Sequence, residues 1–257
     1  MQHASFFDLA RKAERLRSVS ELERFFFRVC GIVQPGLFVD AGASDARTSL
    51  RARRHMPDCR IVAVEANPVT YQLHSSDPKF DDKRIEYLHT ALGDENGEIT
   101  FNAVSVDGKL TDDEKGSICV SLDQERHTQP VVVPGARMDT LFAEFKFEHC
   151  CIWMDVEGAT KKALIGAPYV LSKTIGLFVE VEDQQFWQNQ WLAADVMNHL
   201  LKADMVPVGR DFQSRYQYNL FFIKRSSLHI PRVRFAYTEY LSRIAFSNKT
   251  VTSPPET

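Results

Sequence analysis

No run of apolar residues in the chain is long enough to cross a bilayer as a helix, which removes helical membrane proteins from consideration. Charge of a single sign is also lacking. The 31 Lys and Arg nearly balance the 34 Asp and Glu, leaving −3, and the two signs are interspersed. No basic patch interleaved with aromatics stands out, so neither nucleic acid nor an anionic membrane is indicated as a partner. Cysteine is sparse and odd in number: Cys30, Cys59, Cys119, Cys150 and Cys151 show no metal-ligand spacing and read as reduced core thiols. Adjacent Cys150 and Cys151 lie on a strand and point to opposite faces, which favours packing over a redox pair. The opening segment, MQHASFFDLARKAERLR, has no apolar signal core, so a cytoplasmic location is the expectation.

Glycine is scarce where a dinucleotide fold needs it most. Leu37 to Leu50 reads LFVDAGASDARTSL, a buried strand running into a turn and an opening helix, with Gly42 alone where G-x-G-x-x-G would require three glycines. A pyrophosphate cradle is poorly supported, and an NAD-dependent oxidoreductase is disfavoured with it. S-adenosylmethionine carries no phosphate but has a carboxylate, an ammonium and a ribose diol. Asp40 at the strand end is placed to face the ammonium, and amides at the helix start to face the carboxylate. The basic run Arg47, Arg51, Arg53 and Arg54 reads as a solvated helix face.

What is present is enough for one sizeable α/β core: 257 residues, 44% of them hydrophobic. Phe6, Leu9, Ala10, Ala13 and Leu16 share one helical stripe, and Leu22, Phe25, Phe26 and Val29 another. The Ser20 and Glu23 spacing of a capping box predicts a second helix starting near Ser20. RIVAVEANP is an apolar strand ending in Glu65, the expected ligand of a ribose diol because one carboxylate accepts from both hydroxyls. Residues 85–93 predict a third strand, and Asn96-Gly97 a tight turn into a hairpin. Ala91 and Gly93 leave a flat gap for adenine, with Leu92 packed nearby. Residues 106–128 predict a long loop, a lid with Ser117 as a contact. PVVVPGARMDTL predicts a short strand and a helix capped at Asp139. In CCIWMDVEGATKKALIGA, Cys151, Trp153 and Asp155 alternate onto one strand face, with Glu157 just beyond. IGLFVEVED adds Glu180 and Glu182, so four acids converge on one rim.

Together these stretches resemble the FkbM-type methyltransferases, a branch of the class I S-adenosylmethionine-dependent fold. DAGASDARTS is similar to that family's D-x-G-A-N-x-G-x-x-S, keeping Asp40, Gly42, Ala43 and Ser49, with Ser44 in place of the Asn and Ala46 in place of the second Gly. VAVEANP resembles V-x-A-F-E-P-x-P through Glu65 and Pro68. Ala91 to Asp94 with Gly97 resembles A-L-G-D-x-x-G, and Arg137 to Leu141 resembles R-L-D-x-L. WMDVEGAT resembles K-I-D-V-E-G-A-E, keeping Asp155 to Ala159, with Trp153 where the family has Lys. The likeness covers about Leu37 to Lys224.

The resemblance implies an α/β, doubly wound, Rossmann-like sheet of seven mostly parallel strands with the last antiparallel. The expected layout is an N-terminal helical extension over 1–30, a methyltransferase domain over 31–250 and a disordered polar tail over 251–257. It implies cofactor contacts at Asp40, Gly42 and Glu65. The motif neighbours Ala43, Ser44, Ser49, Ala66, Asn67, Ala91, Leu92, Ser117 and Asp155 complete the expected set. The implied reaction is O-methylation of a hydroxyl on a small molecule or glycan, a sugar, polyketide or lipid. Asp155 is the first candidate base, followed by Glu157 and Glu180; the same acids could instead hold Mg²⁺. Trp153 either fills the core or stacks on the acceptor. A non-catalytic S-adenosylmethionine-binding module is the competing reading, and Ser44 and Ala46 add weight to it.

Overall fold

A computed structural model describes residues 7–246. The first element is α1 (Lys12–Val33), a single helix where the sequence predicts two. Ser20 does not cap a second helix; its hydroxyl donates within the first, to the Leu16 carbonyl at 3.1 Å. Phe6 and the 251–257 tail lie outside the described residues.

The next elements alternate as the apolar runs predict: β1 (Leu37–Ala41), α2 (Arg47–His55), β2 (Arg60–Glu65), α3 (Pro68–His74), α4 (Pro78–Lys83) and β3 (Ile85–His89). Residues 85–93 do not stay one strand. After Thr90 the chain leaves the sheet and forms β4 (Ala91–Gly93), β5 (Gly97–Val106), β6 (Lys109–Leu110) and β7 (Thr128–Arg137), a second sheet in the order β4-β7-β5-β6. The Asn96-Gly97 turn therefore closes no direct hairpin, because β7 inserts between β4 and β5.

The chain then returns through α5 (Met138–Leu141), β8 (Cys150–Met154), α6 (Thr160–Ile165), α7 (Pro168–Lys173), β9 (Thr174–Glu182), α8 (Ala193–Lys202), β10 (Met205–Arg210) and β11 (Gln217–Lys224). Asp139 sits inside α5 and does not cap it. Its carboxylate accepts from the Tyr169 and Val170 amides, each at 2.9 Å, and so caps α7. The last helix, α9 (Pro231–Phe246), has no counterpart in the sequence analysis.

The main sheet runs β10-β11-β9-β8-β1-β2-β3, parallel except for β11, which pairs antiparallel on both sides. The doubly wound fold expected from the sequence is the one observed. Winding starts at β1, goes outward to β3, then restarts at β8 on the other side of β1, so the carboxyl ends of β1 and β8 flank a topological switch point.

Alternation along the buried strands feeds two cores. Phe38, Cys151 and Phe178 face one side; Val39, Cys150 and Leu177 face the other. The first core is completed by α1, whose buried Leu22, Phe25, Phe26, Val29 and Cys30 repeat at helical spacing. Phe26 is fully buried and meets Phe38, Trp153, Phe178 and Phe221 at centroid distances of 5.2–6.2 Å. Tyr240 of α9 stacks on Phe25 at 4.8 Å, and Arg243 pairs with Glu21 at 2.7 Å. The helical extension is thus built into the same core as the sheet.

Arg53 is no solvated-face residue. Its guanidinium donates to the Met56, Pro57, Cys59, Lys83 and Arg84 carbonyls at 2.7–3.1 Å and ties α2 to the loop before β2 and to the junction of α4 with β3. Arg51 pairs with Glu23 and lies over the Phe27 ring.

Candidate active site

The turn after β1 is held by the end of β2. The Gly42 and Ala43 amides both donate to the Val64 carbonyl at 3.0 Å. The Ser44 amide donates to one Glu65 carboxylate oxygen and the Asn67 amide to the other, each at 2.7 Å. Gly42 has φ +80°, and a Cβ there would sit 1.7 Å from the Asp155 carbonyl oxygen, so only glycine lets the ends of β1 and β8 approach this closely. Burial pushes the Glu65 carboxyl up, and the amides of Asn67, Ser44 and Ala66 pull it back.

Asp40 has a different task from the one its position suggests. Its Oδ2 accepts from the Ser49 amide at 2.9 Å and the Ser49 hydroxyl at 2.7 Å, beneath the first turn of α2. Burial pushes Asp40 up to about 7, with the two Ser49 bonds opposing. Neither Asp40 nor Ser49 reaches the cavity wall. Most of the turn amides expected to receive an anion have partners within the protein: Ala46 donates to Ala43 and Arg47 to Asp45, in addition to those already named.

On the facing side, the Asp155 amide donates to the Ala41 carbonyl at 2.9 Å and fixes Asp155 beside β1. Glu157 and Gly158 follow at φ +36° and +72°, and a Cβ on Gly158 would lie 2.2 Å from the Trp187 ring. Asp155, Glu157 and Glu180 present carboxylate oxygens all within 4.8 Å of one another. Glu180 lies behind Asp155, off the cavity wall, and accepts from Gln217 Nε2 at 2.8 Å. Burial dominates their acidities. It pushes Asp155 to about 6, opposed by a hydrogen bond from Glu180, and Glu157 to about 8, helped by the charge of Asp155. Glu180 is raised well above its ordinary value by burial and then by Asp155. Burial thus makes all three weaker acids than exposed carboxyls, and of the two on the cavity wall Asp155 stays the stronger acid. The same trio of oxygens is the set among the described residues that could hold a divalent cation.

Residues 111–118 pass over the mouth as a roof, where the sequence predicts a lid. Asn67 Nδ2 donates to the Thr111 carbonyl at 3.0 Å, Ser44 Oγ to Glu114 Oε1 at 2.8 Å, and Ser117 Oγ to the Glu157 carbonyl at 2.5 Å. Beneath lies a cavity of ≈ 270 Å³ with both polar and apolar walls. It brings together Gly42, Ala43, Ser44, Glu65, Ala66 and Asn67 from the first two strand ends, Ala91 and Leu92 from β4, and Ser117, Asp155 and Glu157. Thr70, Thr90, Phe101, Asp113 and Glu114 also line it and were not singled out from sequence. They come from α3, the link between β3 and β4, the inserted sheet and the roof, and no motif spacing marks them. Trp153 touches the cavity edge, but its ring stacks on Phe178 at 3.9 Å and on Phe27 at 5.9 Å, which makes it chiefly a core residue.

The sequence matches the methyltransferase FkbM domain over residues 40–229, most of the chain. The chain belongs to the FkbM methyltransferase family. Among curated proteins it is similar to the 2-O-methyltransferase NoeI of Sinorhizobium fredii (strain NBRC 101917 / NGR234), 25% identical over 179 residues that cover 66% of this chain and 73% of that one. Among solved structures, methyltransferase FkbM of Methylobacillus flagellatus KT gives a TM-score of 0.48 at 18% identity over 74% of this chain, which spans 44% of that chain's length. Magnesium protoporphyrin IX methyltransferase of Synechocystis PCC 6803 gives 0.46 at 10% identity, covering 84% of each chain.

The backbone bears on two departures noted in the sequence. Ser44 and Ala46 stand where the FkbM-type pattern has Asn and Gly, and both have left-handed backbones, at φ +46° and +55°. Asn and Gly enter that region more readily than other residues, so the pattern records a backbone requirement that this chain meets with strained residues.

Proposed function

We propose that this FkbM-family protein is an S-adenosylmethionine-dependent O-methyltransferase acting on a hydroxyl of a small molecule or glycan. The observation that carries the reading is the Asp155 carboxylate on the cavity wall beside Glu157, with Glu180 behind it and the three carboxylates within 4.8 Å of one another. The name of the relative NoeI, a 2-O-methyltransferase, supports oxygen as the acceptor atom.

The cavity chemistry fits the cofactor. Acidic side chains suit a net cation, the Glu65 carboxylate has acceptor capacity beyond its two amides for a ribose diol, and Leu92 and Phe101 offer apolar walls to a flat base. The residues that would hold it are Glu65, Ala66 and Asn67, the turn from Gly42 to Ser44, Ala91 and Leu92. When bound, S-adenosylmethionine supplies an electrophilic methyl carbon on a sulfonium. Asp155 takes the proton of the acceptor hydroxyl as its oxygen becomes nucleophilic, a contribution typically of about 10² to 10⁴-fold. Glu180 positions Asp155 and lowers its affinity for that proton by donating to it. Alignment of donor and acceptor beneath the roof adds a proximity effect.

Isothermal titration with S-adenosylmethionine, followed by a methyl-transfer assay over hydroxylated acceptors with Asp155→Asn as control, tests the reading. Absence of donor binding, or full activity in Asp155→Asn, overturns it. The 4.8 Å spacing of the three carboxylates supports a second assignment, a bound Mg²⁺ acidifying the acceptor. Activity lost on exhaustive chelation and regained with Mg²⁺ selects it.

A further inference from the structure

The cavity is walled by Asp45, Glu65, Asp113, Glu114, Asp155 and Glu157 against one cationic side chain, Arg47. Arg47 adds no free positive charge, being held by Asp45 at 2.8 Å. Most of the acids have a structural occupation. Glu65 receives two amides, Asp113 accepts the Lys115 amide at 2.9 Å, and Asp155 and Glu157 carry the proton chemistry. Glu114 has one hydrogen bond, from the hydroxyl of Ser44 at 2.8 Å, and the Arg47 guanidinium, already held by Asp45, is the cation near it. Glu114 is exposed on the roof, and its carboxylate reaches the turn after β1 through Ser44 at the cavity mouth. In addition to burial, its charge raises both Glu65 and Asp155, so it acts between the ends of β2 and β8. A carboxylate held among others of like charge is repelled until a cation enters.

We propose that Glu114 is the residue by which the site distinguishes the positively charged methyl donor from its neutral, demethylated product. The proposal rests on the cofactor reading above. S-adenosylmethionine carries a net charge of about +1 through its sulfonium, and methyl transfer leaves a thioether with none, as the elementary charges of its groups require. The attraction of Glu114 to the sulfonium is therefore present before transfer and absent after it. The contact favours donor entry and product departure, and because Glu114 also bridges roof to turn through Ser44, it links charge in the cavity to closure above it.

Titration calorimetry on the full chain tests this with three ligands: S-adenosylmethionine, S-adenosylhomocysteine, and sinefungin, which has a charged amine where the donor has its methylsulfonium. Glu114→Gln is expected to weaken the two cationic ligands by about fivefold and the neutral one by less than about twofold, with the difference shrinking as salt is added. Glu125→Gln removes an equal charge from an exposed position of the same segment outside the cavity and is expected to change neither. Ser44→Ala, which frees the Glu114 carboxylate, is expected to shift the ratio in the same direction as Glu114→Gln. Equal weakening of all three ligands by Glu114→Gln, or no weakening, overturns the proposal while leaving cofactor binding intact. Failure of the unmodified chain to bind any of the three overturns the cofactor reading and this proposal with it.

Discussion

Gly42→Ala is the substitution on which the two halves of the site most directly depend. At φ +80° an added Cβ would lie 1.7 Å from the carbonyl oxygen of Asp155, where contacts below 3.0 Å are not tolerated. That oxygen is backbone, so no rotamer change relieves the clash. The ends of β1 and β8 would have to part by more than an ångström, and the 2.9 Å bond from the Asp155 amide to the Ala41 carbonyl lies at the point of separation. A left-handed alanine costs about 1 to 2 kcal/mol, and losing one buried backbone bond costs about 1 to 3 kcal/mol. The expected destabilisation is therefore about 3 kcal/mol or more, read from urea denaturation, with loss of donor binding because Asp155 moves off the wall. Gly108→Ala provides the reference, since Gly108 has φ +74° but nothing within 4 Å of a Cβ. It should lose only the conformational part, about 1 kcal/mol. If the two variants are equally stable, the close approach of the two strand ends is not what fixes glycine at position 42.

Other outcomes follow from the same geometry. Transfer activity should rise with pH through about 6 as Asp155 ionises, and Glu180→Leu, which removes the proton donor behind Asp155, should move that limb to higher pH in a pH-rate profile. Burial raises the carboxyl of Glu182 to about 7 in the folded chain, from the 4.5 of an exposed one. The folded state then holds its proton more tightly than the unfolded state, so its contribution to stability is full below pH 4.5 and is lost as pH rises through about 7. Glu182→Gln should consequently gain about 3 kcal/mol relative to the parent between acid and mildly alkaline pH, an order-of-magnitude figure from that shift, measured by denaturation at both ends. Arg53→Ala should cost about 2 kcal/mol by leaving several carbonyls without their charged donor. A chain lacking residues 1–33 should fail to fold, as judged by solubility and circular dichroism, because Phe26 and its neighbours close one face of the sheet.

Local periodicity alone set several of the elements. The buried strands, their order in the chain and the acids at their ends were legible because parallel strands covered on both faces read as apolar runs, and because FkbM-type motifs sit at those strand ends. The winding followed from that order, since doubly wound sheets restart beside the first strand. Tertiary structure decided what each acid faces. Asp40 and Glu65 look alike in sequence, each an acid at the end of an apolar strand, yet Asp40 is turned beneath α2 onto Ser49 while Glu65 lines the cavity. The split of residues 85–93 between two sheets, the crossing of β7 between β4 and β5, and the arrival of Glu114 over Ser44 depend on pairings between residues far apart in the chain. Periodicity reports which face of an element is buried but not against what. The partner is selected by packing and hydrogen bonding across the whole fold, which no window of neighbouring residues contains.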